Sequence, residues 1–319
     1  MGVSTLMIIA CHAPASGVVM PRILSFALNL GNYGVDLFLL LSGLGTFYAL
    51  SKRSIKAEWG SYYKKRCRRI FVPYLIIFIP YCAILVFLGV YSIGDSLLSL
   101  STLEYWIYHR GAWFVSLILV LYMFSPILYR VIDTKYKWLF LLVTILAIIA
   151  ICNLITISSK NSVGDNVLSA LGRVPSFLLG FGLGQSSKDG KKVSFWLLLL
   201  LAATYFVLRR VLSITNGTEW LIIPFILAVI VALIRWFKGR WIDAFLNFLG
   251  KISLESYLTN ITINSILRVL IPTFFASSLF YGRWLEYLFV MIAGIAVAYC
   301  VNRLSNRIET KMETIAEAR

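Results

Sequence analysis

Apolar runs of roughly twenty residues, separated by short polar connections, dominate this sequence. A helix of that length crosses about 30 Å of hydrocarbon, where each backbone amide needs a partner within its own segment. Ten such runs lie near residues 1–14, 33–51, 70–91, 112–132, 137–157, 167–185, 193–213, 219–237, 247–271 and 284–304. The first is short: fourteen residues rise only about 21 Å. The pattern predicts an all-α, polytopic integral membrane protein with about ten transmembrane helices, the first truncated at its N-terminus. No long hydrophilic stretch, linker or repeat separates the runs. One membrane domain over 1–308 is therefore expected, with a short polar tail at 309–319 and no attached soluble catalytic module.

Composition agrees with the pattern. The chain of 319 residues is 60% hydrophobic and only 14% charged, which excludes both an ordinary soluble globule and a disordered chain. A net charge of +16 would point to nucleic acid in a soluble protein. Here its placement gives it another meaning. Twenty-two of the basic residues fall in alternate connections and at the C-terminus, against seven in the intervening ones. That asymmetry orients the chain with both termini cytoplasmic and makes anionic lipid, not nucleic acid, the partner of the charge.

The five cysteines are scattered, mostly within apolar runs, with no disulfide framework and no metal-ligand spacing. The chain enters an apolar run at once, without a basic leader or small-residue cleavage site, so a cleavable signal peptide is not expected.

Ionisable and polar groups inside spans are costly, and each is a functional candidate unless it pairs or reaches the interface. His12, in IIACHAPAS, is one of only two histidines. A neutral imidazole in a lipid-walled cavity can take a proton from an attacking hydroxyl near pH 7; a hydrogen-bonded packing histidine is the plainer alternative. Asp36 lies near the outer end of the second run, where its carboxylate could orient that imidazole. Ser42 and Gly43 interrupt the same run, and close helix packing explains them as readily as ligand binding. In SYYKKRCRRIFVPYL, Arg66 and Arg69 fall three apart and share a helix face. Paired guanidinium groups there could hold the phosphates of a cytoplasmic donor, or simply anchor the chain. Arg173, followed by Pro175, Gly180, Gly182 and Gly184, marks a broken span start that could bend around a tunnel or pack closely. His109 and Arg110 belong to an outer connection and receive no catalytic task.

Together these segments resemble a known family. His12, GVDLFLLLSG, KKRCRRIFVPY, AWFVSLILVLYMFSPIL (112–128), RVPSFLLGFGLG (173–184) and LGKISLESYLTN (249–260) follow the order and spacing of the acyltransferase 3 family of membrane acyltransferases, over nearly the whole chain. Each segment is weak alone; six in sequence are specific. The resemblance implies a ten-helix inner (plasma) membrane enzyme. It would transfer an acyl group, usually acetyl, from cytoplasmic acyl-CoA to a hydroxyl of an extracytoplasmic carbohydrate, with no metal. It further implies that His12 is the essential histidine, that Arg66 and Arg69 serve CoA binding, and that Ser42 and Gly43 form the family's SG element.

Two departures stand out. The family's basic residue eleven positions before the histidine falls on Met1, so a misassigned or truncated start is expected. Asn260 replaces a histidine that many members carry after the SxxxYL pattern, leaving Ser256, Tyr257 and Asn260 as a polar, non-basic substrate or structural site. Glu255 is expected to pair with a buried arginine. The rival readings are a polytopic transporter or flippase, for which no inverted repeat is evident, and a non-catalytic family member.

Overall fold

The computed structural model describes the chain except residues 16–17, 53–58, 133, 135, 156–161, 238, 271–279 and 318–319. Outside it lie the basic residues Arg53, Lys56, Lys135, Lys160, Lys238 and Arg319, the ends of the expected spans 137–157 and 247–271, and the last two tail positions.

The described residues form helices joined by turns, with no strand. In chain order they are α1 (Gly2–Ala15), α2 (Arg22–Asn29), α3 (Tyr33–Ser51), α4 (Trp59–Phe87), α5 (Ile93–Leu100), α6 (Glu104–Tyr108), α7 (Trp113–Ile132) and α8 (Lys137–Leu154). Then follow α9 (Val163–Leu171), α10 (Val174–Lys188), α11 (Phe195–Arg210), α12 (Ile223–Trp236), α13 (Arg240–Lys251), α14 (Ser253–Leu270) and α15 (Phe280–Glu317). Single 3-10 turns lead into α3 and α12 at Leu30–Asn32 and Glu219–Leu221.

Among the described residues, six segments are long and apolar enough to cross a membrane: Arg22–Ser51, Trp59–Phe87, Trp113–Ile132, Lys137–Leu154, Val163–Lys188 and Tyr287–Met312. Shorter apolar helices cover Gly2–Ala13 and Ile223–Trp236. The chain is thus a polytopic, all-helical membrane protein, although length and apolarity alone do not reach ten spans. Its large exposed side chains say the same: Leu139, Leu142, Val143 and Leu146 line an outward face of α8 that water would not tolerate.

Two expected spans are divided. The run 247–271 breaks at Ile252, where α13 ends and α14 begins. α13 exposes Trp241, Ile242 and Phe245 between the cationic Arg240 and Lys251, the character of a helix lying at headgroup level. The run 167–185 breaks at Gly172–Arg173, because Pro175 in the first turn of α10 has no N–H to continue the α9 ladder.

The core is built on α3 and α10, the most extensively packed pair. A side chain at Gly43 would collide with the Phe177 carbonyl, and one at Gly180 with the Leu40 carbonyl. Small residues on both helices therefore let the backbones touch. Around them Phe47, Tyr74, Phe78, Val115, Phe177 and Phe181 are buried almost completely.

Candidate active site

Glycines fix the position of α1. A side chain at Gly2 would strike the Leu246 carbonyl of α13, and one at Gly31 the Met7 carbonyl. At Gly34 a side chain would come within 2.8 Å of both the Ser4 carbonyl and the Met7 side chain. From the other side the Tyr287 hydroxyl of α15 donates to the Ile9 carbonyl. So held, α1 turns Thr5, Ile8, Ile9 and His12, spaced as one face of a helix, toward a small pocket of about 30 Å³. The opposite wall is the α14 face carrying Ser253, Ser256, Tyr257 and Asn260, and Val35, Phe38 and Phe114 close it with apolar side chains.

His12 is the ionisable group of this cavity with chemistry near neutral pH. Its Nδ1 is buried and has no hydrogen-bond partner among the described residues. Leaving a buried polar atom unpaired costs about 1–3 kcal/mol, and native interiors do so rarely. His12 also lines the pocket, so its ring is available to a group that arrives with a ligand. Ser256 Oγ is buried and unpaired in the same wall. Tyr257 Oη accepts from the Phe114 N–H at 3.2 Å, which leaves its own hydroxyl proton able to donate.

Asp36 takes a different role from the one expected. It is fully buried on α3, but its two oxygens are engaged by Arg173 and by Ser176 Oγ, the latter at 2.8 Å. The carboxylate therefore does not hold the His12 ring. Its partner is the arginine released at the α9–α10 break, and the pair welds α3 to α10. Arg173 likewise lies away from the His12 cavity, in two clefts shared with Glu219.

The two arginines of α4 diverge. Arg66 donates to the Gly45 carbonyl at 3.2 Å and stacks over the Tyr122 ring at 4.8 Å, and no carboxylate within 4.0 Å neutralises it among the described residues. Arg69 turns to α13 and α14, donating to the Lys251 carbonyl at 3.2 Å and pairing with Glu255 at 3.4 Å. Glu255 is fully buried, and its arginine partner is not the buried one expected but Arg69, whose side chain is 41% exposed, with Asn302 of α15 donating to the same oxygen at 2.8 Å. Arg69 thus contacts Lys251 and Glu255, close in sequence to Ser253 and Ser256 of the His12 pocket, while neither arginine lines that pocket.

A scan against family models matches the chain to the acyltransferase domain over residues 2–303. The chain belongs to the acyltransferase 3 family. It is a membrane acyltransferase. No curated protein and no solved structure matches it.

Other acyltransferase residues singled out in the sequence have plainer surroundings. Ser42 is buried beside Gly43 and lines none of the described cavities, and Gly43 is spent on the contact with Phe177. Gly180 and Gly184 serve the same interface, while Gly182 faces Leu141 and Trp138 of α8. The glycine series thus packs helices on two sides of α10. His109 caps α6 and shares a 2.6 Å hydrogen bond with Asn166 of α9. Thr5, Ser253 and the Arg209–Glu219 pair escaped notice, because small polar residues and interfacial charges carry no distinguishing pattern. No three His, Cys, Asp or Glu side chains converge as a metal site among the described residues.

Proposed function

We propose that this acyltransferase takes an acyl group, most simply acetyl, from acyl-CoA at its basic, cytoplasmic end and passes it to a hydroxyl of an extracytoplasmic saccharide. The reading extends the resemblance to the family, and one observation supports it: the unpaired imidazole of His12 shares a pocket with Ser256, Tyr257 and Asn260 of α14, the helix whose Glu255 pairs with Arg69. From Thr5 to His12, and from Ser253 to Asn260, each wall climbs seven residues, about 10 Å along a helix. Arg66 and Arg69 would hold the donor phosphates, and the thioester would follow that wall inward.

Chemistry then needs only the groups already in the wall. His12 accepts the proton of the acceptor hydroxyl as its oxygen attacks the thioester carbon. A C–O bond forms and charge collects on the former carbonyl oxygen, where the Tyr257 hydroxyl and the Asn260 amide can donate to it. Collapse breaks the C–S bond, and the imidazolium returns the proton to the leaving thiolate. The products are an ester and a free thiol. Only the acyl group changes sides, so neither the donor nor the saccharide has to cross.

The test uses the full chain in lipid nanodiscs with acetyl-CoA and membrane saccharides from its host, read by mass spectrometry for an acetyl ester. Ester formation in the wild type that is lost in His12→Ala is the expected result. Equal ester formation by both proteins overturns the assignment of His12. No ester and no thiol release in the wild type overturns the function.

A further inference from the structure

A second site lies at the end of the bundle opposite the basic connections. Two adjoining clefts, of about 440 and 310 Å³, are both lined by Arg173 and Glu219. The larger also takes in Asp165, and the smaller Asn32, Tyr33 and Arg209. The walls are fixed before any ligand arrives. Arg173 is held from beneath by Asp36, and Arg209 donates to Glu219 at 3.0 Å and to the Thr215 carbonyl at 2.9 Å. The hydroxyls of Tyr33 and Tyr205 share a 2.5 Å hydrogen bond, and the Arg209 guanidinium lies 5.3 Å from the Tyr205 ring centre.

The charge pattern selects the ligand chemistry. Both guanidiniums are already committed to carboxylates. A phosphate or carboxylate would have to break an ion pair to bind. A neutral, polyhydroxylated ring meets no such barrier. It can use what remains: among the described residues, the Asn32 amide and the second oxygen of Glu219 have no hydrogen-bond partner, and an aromatic wall stands beside them. We propose that these clefts form a subsite for a neutral saccharide unit, held apart from the His12 cavity. The proposal rests on the acyl-transfer reading for its purpose, but not for its chemistry. The Leu30 wall of the smaller cleft precedes Gly31, whose packing partner is Cys11, the residue before His12.

The test measures binding independently of catalysis. Asn29 lines the smaller cleft and is exposed, so Asn29→Cys in the full chain provides a reporter that leaves the Asn32 amide and Glu219 in place. Its reaction with a maleimide is followed at that peptide by mass spectrometry, with methyl glycosides of neutral hexoses or inorganic phosphate as probes. At ten times its Kd a ligand slows the reaction about tenfold, because only the empty fraction reacts. Slowing by glycosides but not by phosphate, lost when Glu219→Gln is added, is expected. No slowing by glycosides, or equal or stronger slowing by phosphate, overturns the proposal. Protection without any acyl transfer leaves the subsite standing and removes the transfer reading; transfer without protection does the reverse.

Discussion

Asp36 and Arg173, 137 positions apart in sequence, form an ion pair across the α3–α10 interface in which the carboxylate is fully buried. Breaking a buried pair by removing one partner leaves the other uncompensated, at a cost of about 3–5 kcal/mol. Arg173 keeps 26% of its side-chain exposure, so Asp36→Ala should fall at the low end. A melt in detergent should show that loss. The Asp36→Asn/Arg173→Met double variant should recover part of it.

The same pair separates packing from catalysis. If Asp36 acted through the imidazole, Asp36→Asn would move the pH profile of transfer. With the carboxylate bound to Arg173, protein that survives purification should show the wild-type profile at reduced amplitude.

Glycine contacts between α3 and α10 predict a graded series. Gly43→Ala and Gly180→Ala drive a methyl into a facing carbonyl and should each cost about 1–3 kcal/mol, the range for overpacking. Gly45, one helical step away, has nothing within 4 Å of a would-be side chain, so Gly45→Ala should melt like the wild type.

At the basic end the two arginines should separate. Among the described residues Arg66 has no carboxylate to release, so on the proposed reading Arg66→Ala should raise the KM for acyl-CoA at least about tenfold, the worth of one hydrogen bond to a charge, without altering the melt. Arg66→Lys should recover only part, since it loses the planar fork. Arg69→Ala strips the cation from buried Glu255 and should lower both stability and donor affinity. Adding Glu255→Gln should restore the stability but not the affinity.

Much of the architecture was legible in the pattern, for a physical reason. Lipid requires long apolar helices, and α3 occupies the residues the run 33–51 outlined, as α7 does within one residue of 112–132. Boundaries failed where polarity and helix continuity part company. α4 starts at Trp59, eleven residues before the apolar run, because its basic first turns suit the interface as well as a loop. The division at Ile252 was hidden because amphipathic α13 and buried α14 read as one apolar stretch. Of the site, His12, Tyr257 and Asn260 were visible as polar residues in apolar company, and they share one cavity. The partner of Asp36 was not visible. A pair joining distant helices leaves no periodic trace, and the nearest histidine was the wrong candidate.

The central claim is that the His12 imidazole carries the proton in acyl transfer, and thiol release from acyl-CoA in the presence of acceptor measures this most directly. General-base catalysis contributes about 10²–10⁴-fold. His12→Ala should therefore release thiol at least about a hundred times more slowly than the wild type, with an unchanged melt and unchanged donor binding. Release at the wild-type rate from a folded His12→Ala protein would contradict the account.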